Sequence, residues 1–155
     1  MPAAIEDRQR LPVSSRRLGR AVDRALRALG RPGSLVDVTL VDDAEIRRLN
    51  ARFRGVARRT DVLAFPLESP GPAVPLLGQI VISVPTALRQ ARRLGVPLAL
   101  ELDLLATHGT LHLVGWDDRD PIEADLMHRR AREILADAAG AHARRLWSGL
   151  LSPEA

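Results

Sequence analysis

A leucine-rich stretch between residues 97 and 114 constrains the fold more than any other part of the chain. Its apolar side chains fall on nearly every side of a helical wheel, and such a helix is stable in a soluble protein only when other elements cover it. Pro97 suits the first turn of a helix, where the N–H that proline lacks has no intrahelical partner. The sequence therefore predicts a central, buried helix. Its leucines are Leu98, Leu100, Leu102, Leu104, Leu105, Leu111 and Leu113.

The same helix carries two histidines, His108 and His112, four residues apart. Residues at that spacing lie on one helical face, one turn apart, so both imidazoles can bind one metal ion. Asp118 would lie on the opposite side of a continued helix, but Gly115 can adopt the left-handed conformation that ends a helix and turns the chain back. The pattern predicts one metal ion per chain, bound by His108, His112 and Asp118. The alternative is that the two histidines are hydrogen-bonded core residues.

Three protein ligands leave a fourth position for water, which is typical of catalytic rather than structural zinc. Zinc is therefore the predicted cofactor, although an aspartate oxygen also suits other divalent metals. The spacing is similar to the metzincin pattern, in which a catalytic glutamate follows the first histidine. Gly109 occupies that position here. Because a zinc peptidase needs this general base, the sequence does not favour peptide hydrolysis.

A closer resemblance is to the YbeY family of bacterial ribosomal-RNA maturation endoribonucleases, whose signature reads HGxLHLxGYDH. From His108 to Asp118 this chain reads HGTLHLVGWDD. Two further segments are similar to the family. LNARFRGVARRTDVLAFP, starting at Leu49, resembles LNxxYRxxxxPTDVLSFP, and LLGQIVIS, starting at Leu76, resembles LGDIxIS. The resemblance covers roughly residues 35 to 138.

This resemblance implies a metal-dependent, single-strand-specific endoribonuclease that acts in rRNA maturation and ribosome quality control. The expected partners are ribosomal RNA and ribosomal particles or assembly factors, and the expected location is the cytoplasm. Two alternatives stay open. One is a ribosome-assembly or RNA-binding factor whose metal site has decayed at Asp118, and the other is a metallohydrolase that acts on a different substrate. The sequence leaves the oligomeric state open.

The chain departs from the family pattern at six positions. Two are mild, because Trp116 and Phe53 each replace a tyrosine. At the other four, Asp118 replaces the last histidine, Gln79 an aspartate, Arg59 a proline and Ala64 a serine. Because Gln79 and Asp118 together remove one carboxylate and add another, we expect a rebalanced charge in the pocket. A carboxylate ligand also makes a metal-bound water harder to ionise than a third neutral imidazole does.

Three further residues are candidates for roles around the metal. Arg54 occupies the arginine of the family's YR pair, which implies a phosphate clamp with two parallel donors; the alternative is that it caps its own helix. Glu101, on the same face as His108, is either an acceptor for an imidazole N–H or a polar residue that faces a cleft. His128 falls off the apolar stripe of its helix and is expected at the surface.

The remaining elements predict a single α/β (α+β) domain, in which a small mixed sheet of three to four strands is packed with about five helices. Residues 1–13 are expected to form a flexible N-terminus, residues 14–139 the catalytic domain and residues 140–155 a C-terminal tail. Strands are predicted at 35–41, 61–67 and 77–84, and helices at 15–29, 42–54, 85–94, 97–114 and from 120 onward.

Composition narrows the classes of function. The absence of cysteine excludes thiolate metal sites and disulfides, and no apolar run approaches the ~20 residues that span a bilayer, so no membrane role is expected. Residues 1 to 60 hold fourteen arginines against seven acidic residues, which suits RNA binding, although solvated helix faces give the same counts.

Phe53 and Phe65 are expected inside the protein. Without a stacking surface for bases, specificity would rest on RNA shape and partners.

Overall fold

The computed structural model, which describes residues 3–54, 61–67 and 76–150, has one mixed sheet of four strands. The strand order is β1-β2-β4-β3. β2 pairs in parallel with both β1 and β4, whereas β3 runs antiparallel to β4. The predicted α/β (α+β) domain with a small mixed sheet is therefore confirmed. The strands are β1 Ala3–Asp7, β2 Leu35–Val41, β3 Val62–Pro66 and β4 Leu76–Ser83.

The helices begin where the sequence places short polar caps. The Asp42 carboxylate accepts from the Glu45 amide at 2.8 Å, and the Asp120 carboxylate accepts from the Glu123 amide at 2.8 Å. Such caps satisfy amide groups that have no intrahelical acceptor. In the described part of the chain the α-helices are α1 Ser15–Ala28, α2 Asp43–Arg54, α3 Val84–Leu94, α4 Leu98–Leu113, α5 Pro121–Ala139 and α6 Ala143–Ser148.

Helix α4 lies at the centre of the molecule, in contact with α1, α3, α5 and the strands β3 and β4. Nearly all of its residues are buried. Gly109 brings it close to the sheet, because a Cβ atom at this position would lie 2.9 Å from the Ile80 Cγ2 atom of β4. The prediction of a central, buried ligand helix is confirmed.

The N-terminal segment corrects one expectation. Residues 3–7 are not an unanchored end but form the edge strand β1, which pairs along its whole length with β2. Ala3 is buried, and the Arg8 amide donates to the Leu40 carbonyl at 2.8 Å. The sequence does not reveal this strand because its five residues include two exposed acids and only one fully buried side chain. Pairing with β2, about thirty residues away in sequence, decides its conformation.

A small separate core lies between α2 and the sheet. It consists of Val41, Ile46, Leu63 and Val81, with Leu49 and Phe65 packed against it. Phe65 is half-buried as expected, but the expectation that Phe53 also packs inside is wrong, because this ring is 57% exposed. The core is too small to cover the last turn of α2.

The segment after α5 packs on the domain as far as it is described. Gly140 has a positive φ of 50°, and a 3-10 turn at Gly140–His142 leads into α6. Leu146 of α6 is fully buried among side chains of α3 and α5. The predicted tail therefore begins with a packed segment, while residues 151–155 lie outside the described part. None of the described helices has the length and apolar character needed to cross a bilayer.

Candidate metal centre

The two histidines of α4 point to a common point at the helix's C-terminal end. Their Nε2 atoms are 3.1 Å apart, and their ring centroids are 4.7 Å apart at an interplanar angle of 77°. Two nitrogens that each bind a tetrahedral zinc ion lie roughly 3.3 Å from one another. The spacing of the two imidazoles therefore fits a shared metal ion.

Gly115 makes the bend that brings the loop back. Its φ of 110° is a conformation that other residues rarely adopt, and the Trp116 amide donates to the Leu111 carbonyl at 3.0 Å. Three residues after Gly115, the Asp118 side chain returns to the site, with its Oδ2 atom 3.9 Å from His112 Nε2. One ligand atom each from His108, His112 and Asp118 lies within 4.8 Å of the other two. The structure thus brings the three predicted ligands together, and the group can hold a metal ion.

Hydrogen bonding and burial prepare the two imidazoles for a metal ion. His112 Nδ1 lies 3.1 Å from the Trp116 carbonyl oxygen, which can only accept, so Nδ1 is the donor of this hydrogen bond and Nε2 is the atom left to bind a metal ion. Burial, with the nearby charge of His112, lowers the pKa of His108 to about 4. His108 is therefore neutral near pH 7, which is the form that binds metal.

His128 borders the site, contrary to the expectation of a surface position. Its ring centroid lies 6.2 Å from that of His108, and the residue is half-buried. Burial lowers the pKa of His128, while the charge of Asp118 opposes that effect. The sequence pattern missed this position because the packing of α5 against α4, rather than the stripe of α5 alone, decides what His128 faces.

Glu101 was one candidate acceptor for an imidazole N–H, but the imidazole of His112 pairs with the Trp116 carbonyl instead. The residue is only 2% exposed, and its Oε2 atom has no hydrogen-bond partner in the described part of the structure. Burial, with the charge of Asp61, raises the pKa of Glu101 to about 7. Glu101 is thus a buried carboxyl group two helical turns from the site.

Asp61 is closer to the site than the sequence indicated. It directly precedes β3, and its carboxylate accepts from Gln90 Nε2 at 3.2 Å. Its negative charge raises the pKa of His108 as well as that of Glu101. Asp61 therefore lies near both the metal centre and the buried glutamate.

Gln79 does not belong to the pocket, which corrects the expectation of a rebalanced charge. Ile80 faces Gly109 of α4, so the neighbouring Gln79 points to the opposite face of β4. Its Nε2 atom donates to Thr39 Oγ1 of β2 at 2.9 Å. The change at Asp118 therefore acts on the site without compensation from Gln79.

Arg54 is the last residue of α2, and its side chain lies outside the described part of the structure. Its role as a phosphate clamp stays a prediction. Arg59, one of the departures from the family pattern, also lies outside the described residues.

Comparison with known proteins decides the family. The sequence profile described as Endoribonuclease YbeY matches residues 4–139. The chain belongs to this family. The match starts within β1 and ends with α5, so it extends further toward the N-terminus than the similarity read from the motifs.

Individual relatives agree with the family profile. Proteins named Endoribonuclease YbeY from Moorella thermoacetica and Gloeobacter violaceus are 48% and 50% identical over 129 and 125 residues. These alignments cover 77% and 76% of this chain, and 83% and 62% of the two relatives. The solution structure of a Thermotoga maritima protein has a TM-score of 0.57 at 25% identity and covers 91% of this chain and 95% of its own. The curated relatives therefore support the family that the profile gives, and the solved structure supports the fold.

Proposed function

We propose that the chain is a metal-dependent endoribonuclease that cleaves single-stranded RNA. The observation that carries the proposal is the convergence of His108, His112 and Asp118, with ligand atoms within 4.8 Å of one another. Membership of an endoribonuclease family supports RNA as the substrate. When bound, a divalent ion supplies an activated water and a Lewis acid for the phosphate oxygens.

The chain's own residues prepare this site before any ion binds. The Trp116 carbonyl fixes the ring of His112, and the contact of Gly109 with Ile80 fixes the height of α4 above the sheet. Both imidazoles are therefore held in place by the fold, so that little ordering is needed on binding. Asp118 is 46% exposed along its side chain, so the site opens to solvent on the loop side. A phosphodiester can approach from that side.

Zinc is the proposed ion, since two imidazoles and one carboxylate are ligands that it accepts. Arg54 is the proposed phosphate clamp, because its guanidinium offers two parallel donors to phosphate oxygens. Asp118 brings a negative charge where a third imidazole would be neutral. We infer that this charge strengthens the hold on other divalent ions and weakens the activation of water relative to a three-histidine site.

The proposed setting is rRNA maturation in the cytoplasm, with ribosomal particles or assembly factors as partners. The chain's 23 basic residues, all arginine, and its net charge of +4 support a phosphate-rich partner. Sedimentation of a tagged protein with ribosomal subunits from a cell extract tests this setting. A protein found only in the ribosome-free fractions, with free RNA or alone, would contradict it.

The metal and the activity are tested together on three proteins: the wild type, His112→Ala and Asp118→His. Bound metal is measured by elemental analysis, and cleavage is measured on end-labelled single-stranded and duplex RNA. We expect about one ion per wild-type chain, cleavage of single strands only, and loss of both metal and cleavage in His112→Ala. Arg129→Ala, which removes an exposed ion pair on α5, is the matched control and should keep both.

Asp118→His separates a working site from a decayed one. If only this variant binds metal and cleaves RNA, the natural chain is an RNA-binding factor whose site has lost its function. If the wild type binds metal but leaves every RNA intact, the chain is a metallohydrolase for another substrate. Either result would overturn the proposed activity.

A further inference from the structure

An exposed aromatic ring lies at the C-terminal end of α2. Phe53 is 57% exposed, although its edge-to-face contact with Phe65, at 5.5 Å between centroids and 66° between planes, holds its orientation. The Arg52 guanidinium carbon lies 5.3 Å from the centroid of the Phe53 ring. We call Arg48, Arg52 and Phe53 the Phe53 patch. It combines a ring that is exposed apart from its contacts with Arg52 and Phe65 and two exposed arginines of the same helix.

The charge of α2 is divided along its length. Both acids of the first turn are engaged: Asp43 accepts from Ser83, Thr86 and Arg89, and Glu45 pairs with Arg8 at 2.9 Å. The later turns carry exposed arginines and no acid. Among the described residues, no acidic side chain forms an ion pair with Arg48 or Arg52. The Phe53 patch is therefore positive as well as apolar.

The patch and the metal centre lie on the two faces of the same edge strand. Phe65 of β3 packs on the α2 side, whereas its neighbour Ala64 packs on the α4 side. Helix α4, which carries His108 and His112, packs directly against β3. β3 therefore lies between the two places, and an RNA strand that occupies both has to cross this edge of the sheet.

We propose that the Phe53 patch binds an unpaired nucleotide of the RNA substrate, with the base stacked on Phe53 and the flanking phosphates bound by Arg48 and Arg52. This inference rests on the proposed function and adds a substrate contact to it. Aromatic rings stack on any base, and guanidinium groups pair with phosphate, so the patch selects unpaired RNA rather than a base sequence. A duplex hides its base faces and does not fit.

The test measures binding of a fluorescent 12-nucleotide RNA to the metal-free protein by anisotropy, so that cleavage plays no part. Phe53→Leu keeps an apolar contact for Phe65 but has no π face, and Phe53→Trp keeps one. We expect Phe53→Leu to bind roughly tenfold more weakly and Phe53→Trp to bind as the wild type does. Arg52→Ala should also weaken binding, whereas Arg27→Ala on α1 is the matched control and should not.

A second RNA, in which the central nucleotides lack their bases, separates stacking from structural effects. With this RNA, Phe53→Leu and the wild type should bind equally, because no base is present to stack. If Phe53→Leu weakens both RNAs to the same degree, or weakens neither, the proposal is wrong. If it instead changes the molecular mass in solution, the ring is a protein contact and the proposal is also wrong. RNA cleavage by the wild type that persists unchanged in Phe53→Leu would leave the proposed function standing and reject the patch alone.

Discussion

At the scale of single residues, the metal centre depends on which groups are neutral. Burial keeps His108 uncharged, with a pKa of about 4, and the Trp116 carbonyl selects the tautomer of His112. A site of two neutral imidazoles and one carboxylate leaves a divalent ion with one net positive charge. Asp118, where the family pattern has a histidine, therefore changes the charge of the site.

Glu101 gives a prediction for the dependence of stability on pH. Its folded-state pKa of about 7 exceeds the ordinary value of 4.5, so the folded protein binds this proton more tightly than the unfolded chain. Stability from this group is fully present below the unfolded value and is lost as pH rises through the folded value. We expect Glu101→Gln to unfold like the wild type at about pH 4.5 and to be more stable at about pH 8, by at most ~3 kcal/mol.

Urea unfolding of both proteins across this pH range measures the effect. Glu133→Gln, at an exposed position of α5, is the matched control and should show no such dependence. A gain for Glu101→Gln that is the same at both ends of the range would show that ionisation of Glu101 does not limit stability.

At the scale of elements, an ion pair joins α1 to the buried helix α4. Arg17 Nε and Nη2 both donate to Asp103 Oδ2, at 3.2 and 2.9 Å. The Asp103 side chain is 3% exposed, whereas that of Arg17 is 41% exposed. Burial raises the pKa of Asp103, and the hydrogen bond and charge of Arg17 oppose that rise. The arginine thus compensates a carboxylate that the fold has removed from water.

Removal of the Arg17 side chain should therefore lower the free energy of unfolding more than the breaking of an exposed ion pair does. We expect Arg17→Met to lower the free energy of unfolding by about 3 kcal/mol, because Asp103 is left buried and unpaired. The double variant Arg17→Met with Asp103→Leu should regain most of that loss. Arg27→Met, which breaks the exposed pair with Asp23, is the control and should cost under about 1 kcal/mol. A double-mutant cycle in urea gives the coupling, and equal losses for Arg17→Met and Arg27→Met would contradict it.

Comparison of the predicted and observed elements shows which features of the fold and the metal centre the sequence alone predicts. The path from His108 to Asp118 is predictable because helical spacing and one glycine act within eleven residues. Leucines on every side of α4 likewise predict its burial without any knowledge of its neighbours. Phe53 is exposed and His128 borders the metal centre, contrary to both predictions. Their surroundings come from other elements, and a helical wheel describes only one helix at a time.

At the scale of the whole molecule, the two edges of the sheet serve different purposes. β3 forms the edge that separates the metal centre from the Phe53 patch. β1 forms the other edge and covers the parallel strand β2, whose amide and carbonyl groups would otherwise face solvent. An uncovered edge of apolar strands is a template for pairing with other chains. β1, which the sequence did not predict, therefore covers the edge of the sheet at β2.

Removal of β1 is the corresponding test. Ile5 packs toward Gly19 of α1, with 3.8 Å between its Cδ1 atom and a Cβ built on that glycine, and Arg8 pairs with Glu45 of α2 at 2.9 Å. We expect Ile5→Ala to lower the free energy of unfolding by about 1 to 2 kcal/mol, since this side chain is only partly buried. Deletion of residues 1–8 should cost more and should also cause aggregation, because it exposes the edge of β2. Ala4→Ser, at an exposed position of the same strand, is the control and should change neither property. Denaturant unfolding and light scattering measure the two effects. A deletion variant that stays monomeric and as stable as the full chain would show that β1 does not hold this edge in solution.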